Sequence, residues 1–104
     1  MSTTAGPRLT IREQKQRDSA TRQAHGRARR ERQKAVTDLE VAIQRLEQRQ
    51  KELTTELEDA ATYEKHGRAV AVNRELSGLT EDLARAVAEW EQAAARLNEL
   101  APVS

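Results

Sequence analysis

Two series of residues between Val36 and Leu100 are spaced alternately three and four positions apart and are almost entirely apolar. A mean spacing of about 3.5 residues is the heptad repeat, in which a narrow seam keeps facing a partner helix only if both helices supercoil left-handedly. The first series, with Gln50 as its one polar member, consists of Val36, Leu39, Ile43, Leu46, Gln50, Leu53, Leu57 and Ala60. The second consists of Ala69, Val72, Leu76, Leu79, Leu83, Ala86, Trp90, Ala93, Leu97 and Leu100. Each series predicts a helix that needs a partner, and each can serve as the partner of the other.

The segment at about residues 61–68 separates the two series and contains Gly67 close to a predicted helix end. A connection of this length reverses the chain but is too short for a parallel return. The sequence therefore predicts an all-α fold, an antiparallel two-helix coiled-coil hairpin over residues 36–100. The expected register brings seam residues into facing pairs, among them Leu39 with Trp90, Leu46 with Leu83 and Leu53 with Leu76.

The composition agrees with long helices, because 34% of the residues are charged and the chain has neither Phe nor Cys. Without cysteine there is no disulfide framework, thiolate metal site or thiol nucleophile, and an intracellular compartment is the default. No apolar stretch of about 18 residues and no signal-peptide core follows Met1. We expect a cytoplasmic protein without a membrane partner. Whether the chain is a fragment or a complete protein stays open, although Met1-Ser-Thr-Thr is typical of a natural start.

Charge is divided unevenly along the chain. Residues 1–35 contain ten Lys and Arg against three Asp and Glu, whereas residues 36–104 contain eight against fourteen. We expect residues 1–35 to form a basic arm, disordered or conditionally helical, and residues 101–104 to form a short tail. Such segregation predicts an anionic partner for the arm.

Nine basic residues of the arm are candidate ligands for nucleic-acid phosphates, since Lys and Arg neutralise phosphate charge and Arg donates paired hydrogen bonds. They are Arg12, Lys15, Arg17, Arg22, Arg27, Arg29, Arg30, Arg32 and Lys34. No aromatic residue lies among them, so we expect recognition of the backbone rather than stacking on bases. The sequence does not distinguish RNA from DNA. The alternative interpretation of the same residues is a solubilising charged tail.

The chain carries no pattern that predicts catalysis. His25 and His66 lie far apart and neither has an acidic or histidine neighbour at metal-ligand spacing. Phosphate-binding glycine loops and Ser/His/Asp arrangements are absent from the sequence. We therefore expect no enzyme activity, no catalytic residue, no cofactor and no metal.

Three segments are less generic than the heptads: Leu57-Glu-Asp-Ala-Ala-Thr-Tyr63, Val72-Asn-Arg-Glu-Leu76 and Glu89-Trp-Glu-Gln92. In these the chain resembles the C-terminal coiled-coil domain of ABC-F type ATP-binding cassette proteins, and Arg8-Leu-Thr-Ile-Arg-Glu-Gln14 is similar to the basic segment that precedes that domain. The chain departs from the family at Ala60, where the family often has proline, and in a longer arm between Gln14 and Val36. The resemblance implies a nucleic-acid-binding or ribosome-binding accessory module, with the cassettes of the parent ATPase outside these 104 residues.

Two functions follow from these features. The first is a non-catalytic accessory module that contacts the backbone of ribosomal RNA or of DNA through the basic arm. The alternative is a protein–protein adaptor or self-associating scaffold that uses the hairpin surface to hold a parent ATPase or another helical protein.

Overall fold

The structure, a computed structural model, describes residues 9–100. These residues form three helices and no strand: α1 (Ile11–Glu58), α2 (Ala60–Glu64) and α3 (Arg68–Glu99). The all-helical class is therefore confirmed. The predicted tail at residues 101–104 and the first residues of the predicted arm lie outside the described part of the chain.

Helix α1 is much longer than the apolar seam required. It begins where Thr10 accepts a hydrogen bond at Oγ1 from the backbone N–H of Glu13, at 3.0 Å, which is half of the Thr-x-x-Glu capping arrangement. Good helix formers then carry it through Gly26 without a break. Its 48 residues span about 72 Å, against about 48 Å for the 32 residues of α3. Helix α1 has no break at residues 35–36, and the division of the chain into an arm and a hairpin there stays a prediction.

Asp59 ends α1 and begins α2. Its extended backbone interrupts the helix, and its side chain accepts a hydrogen bond from the N–H of Ala61 at 3.0 Å. The chain leaves α2 through Gly67, whose φ of 75° lies in the left-handed region that glycine adopts without strain. The reversal thus occupies residues 59–67, close to the predicted position.

Two hydroxyl groups of α2 stabilise the end of α1. Thr62 donates to the carbonyl oxygen of Glu56, and Tyr63 donates to that of Leu57 at 2.8 Å. These carbonyls belong to the last turn of α1, which has no further helical partners. Ala60 was expected in the seam, but it is exposed and Thr62 is buried instead. That expectation was wrong because the break at Asp59 shifts the heptad phase.

Helices α1 and α3 lie side by side and antiparallel. Leu53, Val72 and Leu79 form a buried cluster, and three half-buried leucines pack against it: Leu46, Leu57 and Leu76. Val36 and Ala93 are buried towards the other end of the pair. Apart from Ala60, every residue of the two predicted seam series is buried or half-buried. The seam faces are confirmed, whereas the supercoil and the pairing of individual seam residues stay predictions.

No helix within the described residues is both long enough and apolar enough to cross a membrane.

Candidate nucleic-acid interface

All nine predicted binding residues lie on α1, and most of them lie beyond the reach of α3. The last turn of α3 lies beside Arg32 of α1, because Oε2 of Glu99 is 3.3 Å from Nη1 of Arg32. Residues 11–27 of α1 extend past this point, and we call them the overhang. Every residue of the overhang is exposed except Ser19 and Gly26, which are half-buried. The basic residues there are open to a large ligand.

Helical periodicity sorts the basic residues onto one side of α1. At about 100° per residue, seven of the nine fall within an arc of about 160°, which we call the basic face. They are Arg12, Lys15, Arg22, Arg27, Arg29, Arg30 and Lys34. The acidic residues of this stretch, Glu13, Asp18 and Glu31, all fall outside the arc, as do Arg17 and Arg32. The structure therefore brings seven predicted residues onto a face without acidic side chains and leaves two elsewhere.

The basic face contains uncharged polar residues that the sequence analysis did not single out. Gln16, Ser19 and Gln23 line a surface groove with Arg12 and Lys15. A second groove farther along α1 is lined by six residues: Arg29, Arg30, Gln33, Lys34, Thr37 and Asp38. Amides and hydroxyls are hydrogen-bond donors that suit phosphate and sugar oxygens. These polar side chains could have been found from the sequence by projecting it onto a helix of 3.6 residues per turn, which places them on the same face as the basic residues.

Arg32 is engaged with α3. Its Nη1 donates to the carbonyl oxygen of Arg96 at 2.6 Å and to Oε2 of Glu99 at 3.3 Å. The Arg96 carbonyl lies in the last turn of α3, where carbonyl groups lack helical partners and cations are favourable. Arg32 thus stabilises the end of α3. Its guanidinium is not as free for phosphate as those of the basic face.

Lys34 has an acidic neighbour on the same helix. Its Nζ lies 2.6 Å from Oδ2 of Asp38, and both side chains are largely exposed. Exposed pairs of this kind contribute little and exchange readily with solvent and other ions. Lys34 therefore stays on the basic face as a weaker member.

Besides the pair of Arg32 with Glu99, two ion pairs cross between α1 and α3 nearer the turn. Arg49 binds Glu75 through Nε and Nη2, and Arg68 binds Glu56 through Nε and Nη2. The hydrogen bond from Arg49 lowers the pKa of Glu75, and that from Arg68 lowers the pKa of Glu56. These carboxylates therefore stay charged, and they add to the acidic character of residues 36–104.

Residues that could bind a metal ion are scattered over the described part of the chain. No group of three His, Cys, Asp or Glu residues lies close enough together there to hold a metal ion. Its surface grooves lie along the sides of the helices. What the described surface offers is an extended array of cations on a helix.

The family model of the ABC transporter C-terminal domain matches residues 27–95, about two thirds of the chain. The protein belongs to this family, as the turn and tryptophan segments indicated, and it is an accessory domain of the ABC type rather than the ATP-hydrolysing cassette. The match covers the helix pair and the turn and leaves out most of the overhang. No curated protein and no solved structure matches the chain.

Proposed function

We propose that this protein is a non-catalytic accessory module of an ABC protein that binds the backbone of RNA or DNA through the basic face of α1. The helix pair, as a coiled-coil hairpin, is its scaffold. The observation that carries the proposal is the placement of seven cations on an acid-free face, from Arg12 to Lys34, a rise of about 33 Å. Ribosomal RNA in the cytoplasm is the candidate ligand that the family resemblance favours.

The physical basis of binding is release of counterions from phosphate. Each phosphate neutralised contributes about 0.7–0.9 to the slope of log affinity against log salt. If five to seven of the basic-face residues engage, the slope is about −4 to −6. Sequence preference is weak because contacts to phosphate carry no base information.

The charge of residues 36–104 determines how the protein is oriented on the nucleic acid. Residues 36–104 carry fourteen acidic and eight basic residues, so this part of the chain repels phosphate. The nucleic acid therefore lies along the basic face, and the acidic part of the helix pair points away from it. The basic face is continuous with the outer side of the helix pair only as far as Thr37, because Asp38 and Glu40 follow.

A second candidate function is a protein–protein adaptor. Its support is at the turn, where Tyr63 is 62% exposed and Val70 is 58% exposed. Two exposed apolar side chains are a small surface compared with a stable protein interface. The charge pattern is therefore the stronger observation.

The test is fluorescence anisotropy with a labelled ribosomal RNA fragment and a labelled DNA duplex, over a series of salt concentrations. One variant replaces Arg12, Lys15, Arg22 and Arg30 by Gln, which keeps the helix propensity. A matched control replaces Arg45, Lys51, Lys65 and Arg74 by Gln, which removes the same charge from the helix pair and the turn. We expect the first variant to flatten the salt slope by about 3–4 units and the control to leave it almost unchanged. Equal effects of both variants, or a slope near zero for the unaltered chain, would contradict the proposal and favour the adaptor.

A further inference from the structure

Gly26 lies at the point where α1 loses its partner. Ala28 is half-buried and Arg32 pairs with Glu99 at the end of α3, whereas residues 9–25 are all exposed apart from Ser19. The hydrogen bonds made by side chains of residues 11–25 are local ones, such as Gln14 to Asp18 and Thr21 to the carbonyl of Arg17. Residues 11–25 thus form a helical segment without tertiary packing, joined to the packed helix at a glycine.

Such a segment is close to the balance between helix and coil. The segment continues a packed helix and needs no nucleation of its own, but most helical stability in proteins comes from tertiary packing, which it lacks, and an interior glycine weakens a helix further. Like charges add to this within the segment, because Arg12 and Lys15 stand three residues apart on the basic face. The row of like charges continues beyond Gly26 with Arg27, Arg30 and Lys34. An array of phosphates would remove this repulsion.

We propose that Gly26 is a hinge and that residues 11–25 fold conditionally, completing their helix when the basic face binds a polyanion. This inference rests on the proposed function and concerns its regulation. Helix formation and phosphate binding are then one coupled equilibrium, so part of the binding free energy orders the segment. Affinity is consequently set by the stability of the free helix as well as by charge.

The coupling is tested without changing any charge. Gly26→Ala raises helix propensity at the hinge, and the added Cβ would meet only Nη1 of Arg30, at 3.4 Å, the flexible end of a side chain. Because the free segment is frayed, the substitution tightens binding of the same RNA fragment or duplex by up to about fivefold. Gly78→Ala is the matched control. Gly78 is also helical and half-buried, nothing lies within 4 Å of an added Cβ, and it is remote from the basic face.

Hydrogen exchange measured by mass spectrometry gives a second readout. In the free protein, amides of residues 11–25 exchange much faster than those of α3, and addition of the RNA fragment slows them. Gly26→Ala slows them in the free protein, whereas Gly78→Ala does not. Gly26→Pro interrupts the helix at the hinge and weakens binding while the helix pair keeps its protection.

The outcomes separate this inference from the proposed function. The hinge would be overturned by two results: equal, salt-dependent affinity of Gly26→Ala and the unaltered chain, and slow exchange of residues 11–25 in the free protein. The proposed function would then remain intact. If neither RNA nor DNA binds at low salt, the proposed function itself fails.

Discussion

Arg49 of α1 holds Glu75 of α3 through two hydrogen bonds, from Nε to Oε2 at 2.6 Å and from Nη2 to Oε1 at 3.0 Å. The same bond pattern recurs between Arg68 and Glu56 at 2.8 and 2.7 Å. The second pair lies seven residues farther along α1 and seven residues back along α3. One heptad therefore relates the two pairs in opposite chain directions, which is the signature of an antiparallel arrangement. The basic partner is on α1 in one pair and on α3 in the other.

The predicted register, which pairs Leu53 with Leu76, does not place the residues of these two ion pairs directly opposite each other. It places Arg32 opposite Leu97, which agrees with the contacts of Arg32 to Arg96 and Glu99. Near the turn it places Arg49 opposite Thr80, five residues from Glu75. Arginine and glutamate side chains together can bridge the corresponding rise of about 7.5 Å. The register consequently needs a direct test.

Disulfide formation provides that test, because the chain has no cysteine of its own. We expect cysteines at positions 53 and 76 to form a bond within one chain, since facing seam residues come within disulfide distance. The comparison is a variant with cysteines at positions 53 and 69, the pair that a one-heptad shift would bring together. Measurement is by mass spectrometry of the unreduced protein. Preferential closure of the second pair would show that the ion pairs near the turn set the register.

Leu53→Ala tests the core of the helix pair. Leu53 is 1% exposed and lies in the cluster with Val72 and Leu79, so truncation loses packing and leaves a cavity. We expect it to lower the free energy of unfolding by about 2–5 kcal/mol, a large part of the stability of so small a core. Urea unfolding followed by the fluorescence of Trp90, the single tryptophan, reports on the helix pair alone. Val41→Ala, at a 40% exposed site on α1, should cost far less.

Stability should fall with acid because of the two interhelical carboxylates. The hydrogen bonds from Arg68 and Arg49 lower the pKa of Glu56 and Glu75 below the value that each has in the unfolded chain. Their contribution is therefore complete above the ordinary glutamate pKa of about 4.3 and is lost as the pH falls through the lower folded value. Thermal melts at pH values from about 6 to 3 measure the effect. A variant with Arg49→Gln and Arg68→Gln should show a weaker dependence on pH in this range, and an unchanged dependence would contradict the assignment.

Trp90 carries a buried indole N–H that has no acceptor among the described residues. Leaving a buried donor unpaired costs about 1–3 kcal/mol, so Trp90→Phe relieves that cost while it loses part of the ring packing. We expect the two effects to offset each other, with a change in the free energy of unfolding of less than about 1.5 kcal/mol. Trp90→Ala, in contrast, should destabilise by about 3–5 kcal/mol. Circular dichroism at 222 nm measures both variants, and an equal loss in the two would mean that the N–H has a partner.

The sequence by itself determined the faces of the long helices and the separation of charge. Heptad spacing is a local property that repeats along one helix, so Leu53 and Val72 could be assigned to the seam without knowledge of their partners. The concentration of basic residues in residues 1–35 is likewise visible in the sequence alone, and it led to the prediction of candidate phosphate ligands there. Short local segments, among them the turn and the stretch around Trp90, also indicated the family. The match over residues 27–95 shows that family.

Only the tertiary structure decided where each face ends and what it meets. Asp59 stops α1 one residue before the expected seam position Ala60, and the hydroxyl of Thr62 then takes the buried site. Arg32 bonds to the carbonyl of Arg96 because the end of α3 lies beside it, so its guanidinium is less free for phosphate than those of the basic face. The first outcome depends on how α2 packs after the break at Asp59, and the second on where α3 stops relative to α1. Both are set by packing between helices, which no local spacing encodes.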